Sequence, residues 1–169
     1  MTTLLVLGGA RSGKSAYAQR RCEDLGRSRV YIATAQAGDE EMADRISRHR
    51  ADRGTGWTTI EEPIDLLKAI RQAARHADAI LVDCLTLWLS NLMLEDHPIA
   101  VARAELAEAV RQVKVPLVLI ANEVGMSIVP DNALARRFRD EAGWLNQEIA
   151  AAAQEVVLVT AGLPLCLKG

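Results

Sequence analysis

Residues 3–15, TLLVLGGARSGKS, join an apolar run to a glycine-rich loop and indicate the fold of this chain. An apolar run at residues 3–7 is followed directly by Gly8 to Ser15, which satisfies the pattern G-x-x-x-x-G-K-[ST]. Glycines in such a loop let backbone N–H groups approach phosphate oxygens, and a helix that begins near Lys14 adds its positive end. The sequence therefore predicts a phosphate-binding loop between a first strand and a first helix.

Every residue of this loop is a predicted nucleotide contact. The set is Gly8, Gly9, Ala10, Arg11, Ser12, Gly13, Lys14 and Ser15. Lys14 is expected to reach the β- and γ-phosphates and to act in catalysis. The Ser15 hydroxyl is expected to complete the coordination shell of a Mg²⁺ ion, so the loop predicts a nucleoside triphosphate with magnesium.

Two acidic residues follow later apolar runs. Asp83 ends the run AILVD, where a P-loop protein holds its metal ion or the waters of that ion. The alternative is that Asp83 caps the apolar helix that follows, and both roles can hold at once. Glu123 follows the run at 116–121, and for it metal binding, a role as base and simple solvation all stay open.

Short apolar runs alternate with helical patterns along the whole chain. Strands are predicted at 3–7, 29–33, 79–83, 116–121 and 156–160, and helices at about 14–25, 39–53, 64–76, 85–95, 99–113 and 132–154. Such alternation is typical of an α/β fold with a mostly parallel sheet and helices on both faces. At 169 residues the chain predicts a single domain, 1–169.

Composition excludes several classes of function. With 20 basic and 22 acidic residues, the chain lacks the basic surface that broad nucleic-acid binding needs. Its three cysteines are far apart and form no C-x-x-C pair, which argues against a disulfide framework and a zinc site. No apolar run reaches the roughly 20 residues of a membrane span, and no signal peptide is evident, so we expect a soluble, cytoplasmic protein.

The stretch RISRHRADR sets His49 among four arginines, Arg45, Arg48, Arg50 and Arg53. Neighbouring guanidinium groups disfavour a protonated imidazole and attract a triphosphate, so His49 is a candidate nucleophile. Charged runs are usually ordinary helix surface, however, and from these residues alone that interpretation is favoured. The residues by themselves leave the catalytic interpretation open.

The chain resembles a known family in eight motifs that occur in order. They are GGARSGKS, YIATAQ, DEEMADRISRHR, WTTIE, LVDCLTLWLSNL, NEVGMSIVP, RRFRDEAGWLNQ and AGLPLCLK. Together they resemble the bifunctional adenosylcobinamide kinase / adenosylcobinamide-phosphate guanylyltransferase family of cobalamin biosynthesis. The resemblance covers essentially the whole chain and implies a RecA-like P-loop NTPase fold.

The resemblance implies two reactions, with ATP or GTP and Mg²⁺. Adenosylcobinamide is first phosphorylated on its aminopropanol arm, and GMP then passes from GTP through a guanylyl-histidine to adenosylcobinamide phosphate. The histidine matches His49. Further nucleotide contacts are implied at Thr34, Ala35, Gln36, Arg50, Arg53, Glu61 and Asp83, with Ser15 and Asp83 at the metal. A homotrimer is implied as well.

Two alternatives compete with this prediction. One is a kinase with a single activity, in which His49 is inert. The other is a regulatory GTP-binding switch, although the guanine-reading pattern N-K-x-D is missing. Ser127 also departs from the family, because a glycine is usual there, and a left-handed backbone at that position would be strained by a Cβ atom.

Overall fold

The computed structural model of the protein describes residues 2–36 and 55–169. The predicted helix at 39–53 lies outside the described residues, and so do His49, Arg50 and Arg53. The elements in chain order are β1 Thr3–Gly8, α1 Lys14–Leu25, β2 Arg29–Ala33, β3 Trp57–Glu61, α2 Leu66–Ala73, β4 Ala79–Asp83, α3 Leu85–Leu94, α4 Ile99–Gln112, β5 Leu117–Asn122, α5 Ala133–Ala152, β6 Glu155–Thr160 and β7 Leu163–Lys168.

The strands form one sheet in the order β3-β2-β4-β5-β1-β6-β7. Every pair is parallel except β6 with β7, so the predicted mostly parallel sheet is confirmed. From β1 the chain crosses to β2 on one side, whereas β5 leads through α5 to β6 on the other. The connections therefore diverge at β1, and ligands of open α/β sheets bind at the carboxyl ends of the strands beside such a point.

Alternation along the strands divides the apolar residues between two cores. On β1, Leu4 and Val6 face a smaller core that α1 covers through Ala18 and Cys22. Leu5 on the same strand faces a larger core that is built with α2, α3, α4 and α5. We call these the α1 face and the four-helix face. Helices therefore lie on both faces, as predicted, and each fully buried leucine contributes about 2 kcal/mol of hydrophobic stabilisation.

Side chains fix the beginnings of two helices. Asp65 caps α2 by accepting from Lys68 N at 3.3 Å, and Asn132 caps α5 by accepting from Ala135 N at 2.7 Å. Helix α2 ends at Ala73, three residues before its predicted end at His76. Each cap satisfies a backbone N–H that has no partner within its helix, which sets where the helix begins.

Two strands were missed by the prediction, and both lie at edges of the sheet. β3 is short and only partly buried, so its apolar signal is weak. β7 is exposed throughout and contains Pro164, which is tolerated at an edge because proline cannot donate to a neighbouring strand. A two-residue turn with positive φ at Ala161 (52°) and Gly162 (78°) joins β7 to β6, as in tight hairpins.

In the described part of the chain, no helix combines the length and the apolar character that crossing a membrane requires.

Candidate nucleotide-binding site

The predicted phosphate loop lies between β1 and α1, as expected. Ser12 N donates to Gly9 O at 3.3 Å, and Tyr17 N donates to Gly13 O at 3.0 Å where the helix begins. Lys14 Nζ reaches back over the loop and donates to Gly9 O at 3.1 Å. The loop therefore holds its own curvature, with the lysine amine lying against its backbone.

Two glycines are required by the geometry of this loop. A Cβ atom on Gly8 would lie 2.6 Å from Val159 O and 2.4 Å from Ser12 Oγ. Gly13 has φ of 91°, and its Cβ would lie 3.1 Å from Gly162 Cα. At Gly9, by contrast, a Cβ atom would meet nothing within 4 Å, so this side of the loop is open to a ligand.

The turn between β6 and β7 supports the phosphate loop from outside. Gly162 N donates to Ser12 O at 2.8 Å, so the hairpin turn holds the middle of the loop. Sequence reasoning missed this contact because it missed β7. The alternating leucines after Ala161-Gly162 were the available signal, since a two-residue turn between alternating runs indicates a hairpin.

Asp83 lies at the carboxyl end of β4, separated from β1 by one strand, β5. Its Oδ2 accepts a hydrogen bond from Tyr31 OH at 2.9 Å. The N-cap of α3 is Cys84, so the alternative in which Asp83 caps this helix is wrong. The carboxylate is half-buried at the edge where the phosphate loop begins, which suits a charge that faces a metal ion.

The residues at this edge fit the way in which nucleotide-dependent enzymes bind Mg²⁺. No cluster of three or more His, Cys, Asp or Glu side chains that could chelate a metal ion occurs within residues 2–36 and 55–169. Mg²⁺ is usually held by one or two oxygen ligands from the protein together with substrate phosphates and water. Ser15 in the first turn of α1 and Asp83 offer such oxygens.

The segment after β2 serves mainly to hold the edge of the sheet. Thr34 is fully buried, and its Oγ1 donates to Cys84 O at 2.7 Å and accepts from Cys84 N at 2.8 Å. Asn91 Nδ2 donates to Thr34 O at 2.8 Å. Ala35 is half-buried and Gln36 is exposed. The Thr34 side chain is therefore occupied, which leaves Ala35 and Gln36 as the surface of this segment.

Glu61 is not brought close to the phosphate loop. It ends β3, where it pairs with Ala33 of β2, and its side chain is exposed. Four strand spacings separate β3 from β1, which is about 19 Å across the sheet. Glu61 and the loop therefore belong to different parts of the carboxyl edge.

Asn122 and Glu123 lie directly beside the phosphate loop at the end of β5. Asn122 is paired in register with Gly8, and its Oδ1 is buried without a hydrogen-bond partner among the described residues. Glu123 N donates to Gly8 O at 3.1 Å, while its Oε1 accepts from Gly125 N at 2.6 Å. One carboxylate oxygen thus shapes the loop that follows β5. Ser127 in that loop does not have positive φ, so the expected strain is absent there.

Two cysteines lie in the core of the α1 face, Cys84 directly after Asp83 and Cys22 in the second half of α1. Burial raises the pKa of the Cys84 thiol to about 11, and the charge of Asp83 adds to the effect. Burial likewise raises the pKa of the Cys22 thiol to about 12. Both thiols are therefore protonated at neutral pH and cannot serve as nucleophiles.

Comparisons with known proteins agree over nearly the whole chain. A family model described as cobinamide kinase / cobinamide phosphate guanyltransferase matches residues 4–167. The bifunctional adenosylcobalamin biosynthesis protein CobP of Pseudomonas aeruginosa is 48% identical over 167 residues, which cover 98% of this chain and 96% of that protein. CobU of Salmonella typhimurium, described in the same words, is 42% identical over 180 residues, covering 98% and 99%.

Solved structures share the fold at low identity. The P4 protein of bacteriophage phi6, in complex with ADP, has a TM-score of 0.54 and 14% identity, covering 97% of this chain and 54% of that chain. The RadB recombinase has a TM-score of 0.53 and 12% identity, covering 93% and 73%. The prediction of a RecA-like P-loop fold is confirmed.

Proposed function

Because the chain belongs to the cobinamide kinase / cobinamide phosphate guanyltransferase family, we propose that it phosphorylates adenosylcobinamide and then converts the product to adenosyl-GDP-cobinamide with GTP. It is thus a bifunctional transferase of cobalamin biosynthesis. The observation that carries the proposal is the phosphate loop, in which Lys14 Nζ lies 3.1 Å from Gly9 O beside the open side of Gly9. A backbone cradle of this kind holds the phosphates of a nucleotide.

In the kinase step, ATP or GTP places its phosphates in the loop. The hydroxyl oxygen of the aminopropanol arm forms a bond to the γ-phosphorus, and the bond from that phosphorus to the β-bridging oxygen breaks. The nucleoside diphosphate leaves, and the hydroxyl proton passes to water. Lys14 and the backbone N–H groups stabilise the negative charge that develops. When bound, Mg²⁺ neutralises phosphate charge, and Ser15 and Asp83 are the residues that would hold it.

In the guanylyl-transfer step, a nitrogen of His49 attacks the α-phosphorus of GTP and pyrophosphate leaves. A phosphate oxygen of adenosylcobinamide phosphate then attacks the same phosphorus, and the P–N bond breaks. The arginines around His49 in the sequence support this role because they favour a neutral imidazole and attract a triphosphate. Arg50, Arg53, Glu61 and the segment 34–36 are the further proposed contacts of the nucleotide.

The proposal extends to a single domain over 1–169 that forms a homotrimer in the cytoplasm. The loop after β5 supports self-association, because Met126 is 83% exposed, Ile128 is 93% exposed and Val129 is also exposed. Apolar patches of this kind mark interaction surfaces in soluble proteins. Sedimentation should give a mass near three chains, and a monomer at micromolar concentration would refute the trimer.

The mass of the intact protein after incubation with GTP and magnesium tests the histidine. We expect one GMP adduct on the wild type, located at His49 by peptide mapping. His49→Ala should show no adduct and should keep the kinase activity, since Lys14 is unchanged. The matched control is His76→Ala, an exposed histidine beyond α2, which should label like the wild type.

An unlabelled wild type that nevertheless makes adenosyl-GDP-cobinamide would refute the covalent route. A wild type that phosphorylates adenosylcobinamide but makes no adenosyl-GDP-cobinamide would favour the single-activity kinase.

A further inference from the structure

A tryptophan on α5 is half exposed and yet held in place. The Trp144 ring packs against the Arg103 guanidinium of α4, with 5.3 Å between the guanidinium carbon and the ring centroid. Arg103 is 9% exposed and forms an ion pair with Glu141. Its Nε also lies 3.3 Å from Glu148 Oε1. One face of the ring therefore packs on the buried Arg103, while half of the residue stays exposed to solvent.

A cavity of about 270 Å³ adjoins this ring. It is lined by Gly125, Arg139, Asp140, Gly143, Trp144 and Gln147. Asn146, which lies on α5 between the lining residues Gly143 and Gln147, donates through Nδ2 to Asn122 O at 3.3 Å, and Asn122 is the register partner of Gly8. This part of α5 therefore packs beside the strand end that flanks the phosphate loop. Gly125 follows Glu123 by two residues, at most about 7 Å along the chain, and Glu123 N is hydrogen-bonded to Gly8 O.

The net charge of the side chains that line the cavity is close to zero. Arg139 donates through Nε and Nη2 to Asp140 Oδ1, at 3.2 and 3.0 Å. Among the described residues, these bonds leave Arg139 Nη1 available to donate to a ligand. The side-chain amide of Gln147 offers both a donor and an acceptor. A neutral lining with an aromatic face and amide and guanidinium donors suits an uncharged ligand that carries amide and hydroxyl groups.

We propose that this cavity binds the aminopropanol arm of adenosylcobinamide before its phosphorylation, with an edge of the corrin macrocycle against Trp144. The inference rests on the proposed function and assigns the acceptor site of the kinase step. The volume admits one side arm and excludes the macrocycle, so the macrocycle lies outside, over the exposed ring. From there the terminal hydroxyl is directed past Glu123 toward the phosphate loop.

Substitution of Trp144 tests the aromatic contact. For Trp144→Ala we expect the KM for adenosylcobinamide to rise about tenfold or more, as for a buried aromatic anchor of an interface. Trp144→Phe should recover most of that loss. The KM for the nucleotide and the self-labelling by GTP should stay at wild-type values in both variants, because neither requires the corrinoid.

Gly143 permits a test that does not weaken the fold. A Cβ atom at Gly143 would meet nothing within 4 Å, and the residue lies inside α5, where alanine and leucine are better helix formers than glycine. Gly143→Ala should have a small effect, whereas Gly143→Leu should fill the cavity and raise the corrinoid KM about tenfold or more. Both variants should keep or raise the thermal unfolding midpoint.

Leu134→Ala, an exposed apolar residue of α5 that does not line this cavity, is the matched control and should keep the wild-type KM. An unchanged corrinoid KM in both Trp144→Ala and Gly143→Leu would overturn the inference. So would a change of oligomeric state in these variants at unchanged KM, because the cavity would then be a subunit contact. A wild type without cobinamide kinase activity would instead refute the proposed function.

Discussion

The two faces of the sheet build their functional features in different ways. On the α1 face, the phosphate loop is made from eight consecutive residues whose contacts are local, such as Lys14 with Gly9 five residues earlier. On the four-helix face, Arg103 and Glu141 are 38 residues apart and meet only because α4 packs on α5. The first is a site of backbone groups, whereas the second is a cluster of side chains.

This difference determines which substitutions each region tolerates. A loop of backbone N–H groups depends on glycines that let the chain turn and approach its neighbours, such as Gly8 against Val159 O. A side-chain cluster depends instead on the balance between a buried cation and its carboxylates. Substitutions in the loop are therefore expected to change catalysis, whereas substitutions in the cluster are expected to change stability.

Lys14→Met carries the largest expected effect. Because Lys14 stabilises charge that develops on the phosphates, the kinase kcat/KM should fall about 10³-fold, which is about 4 kcal/mol of transition-state stabilisation. The urea midpoint should hardly change, since its hydrogen bond to Gly9 O is exposed. Steady-state kinetics and urea unfolding of the same preparation separate the two quantities. A loss below tenfold would mean that the lysine is not at the phosphates.

Arg103→Met is the counterpart on the four-helix face. It leaves Glu141, whose side chain is only 16% exposed, without its cation, so the free energy of unfolding should fall by about 3 kcal/mol, while nucleotide binding to the loop should persist. Urea unfolding and nucleotide titration are the measurements.

The matched control is Arg111→Met on the same helix. Arg111 pairs with Glu108 at 3.1 Å, and both side chains are about half exposed, so its loss should cost at most about 0.5 kcal/mol. Equal losses in the two variants would contradict a special role for the buried cluster. A loss of nucleotide binding in Arg103→Met would instead contradict the independence of the two faces.

The sequence was sufficient for the features that depend on neighbouring residues. It predicted the phosphate loop, five of the strands and the mostly parallel sheet, because glycine spacing and short apolar runs are local signals. It failed for β3 and β7, whose edge positions remove the continuous apolar pattern on which the prediction relied.

In the candidate site, too, the features set by neighbouring residues were predictable and those set by distant residues were not. The position of Asp83 at the sheet edge was predictable from the strand before it, whereas the contact of Gly162 with Ser12 requires the hairpin to be known. Trp144 and Arg103 lie on separate helices, and no pattern in either helix indicates that they meet. The distance of Glu61 from the loop likewise follows from strand order, which the sequence does not state.

The smallest predicted effect uses Cys22, a thiol of α1 that is buried in the core of the α1 face. Its folded pKa of about 12 exceeds the ordinary value of 9.0, so above pH 9 the unfolded chain loses this proton and the native chain keeps it. Stability is therefore lost as pH rises, by about 1 kcal/mol for this thiol between pH 9 and 10. Urea midpoints at the two pH values should differ less in Cys22→Ala than in the wild type.

Cys166→Ala, which removes an exposed thiol on β7, should keep the wild-type difference. The same pH dependence in all three proteins would mean that water reaches the Cys22 thiol, and the core of the α1 face would then be less closed than the core of the four-helix face.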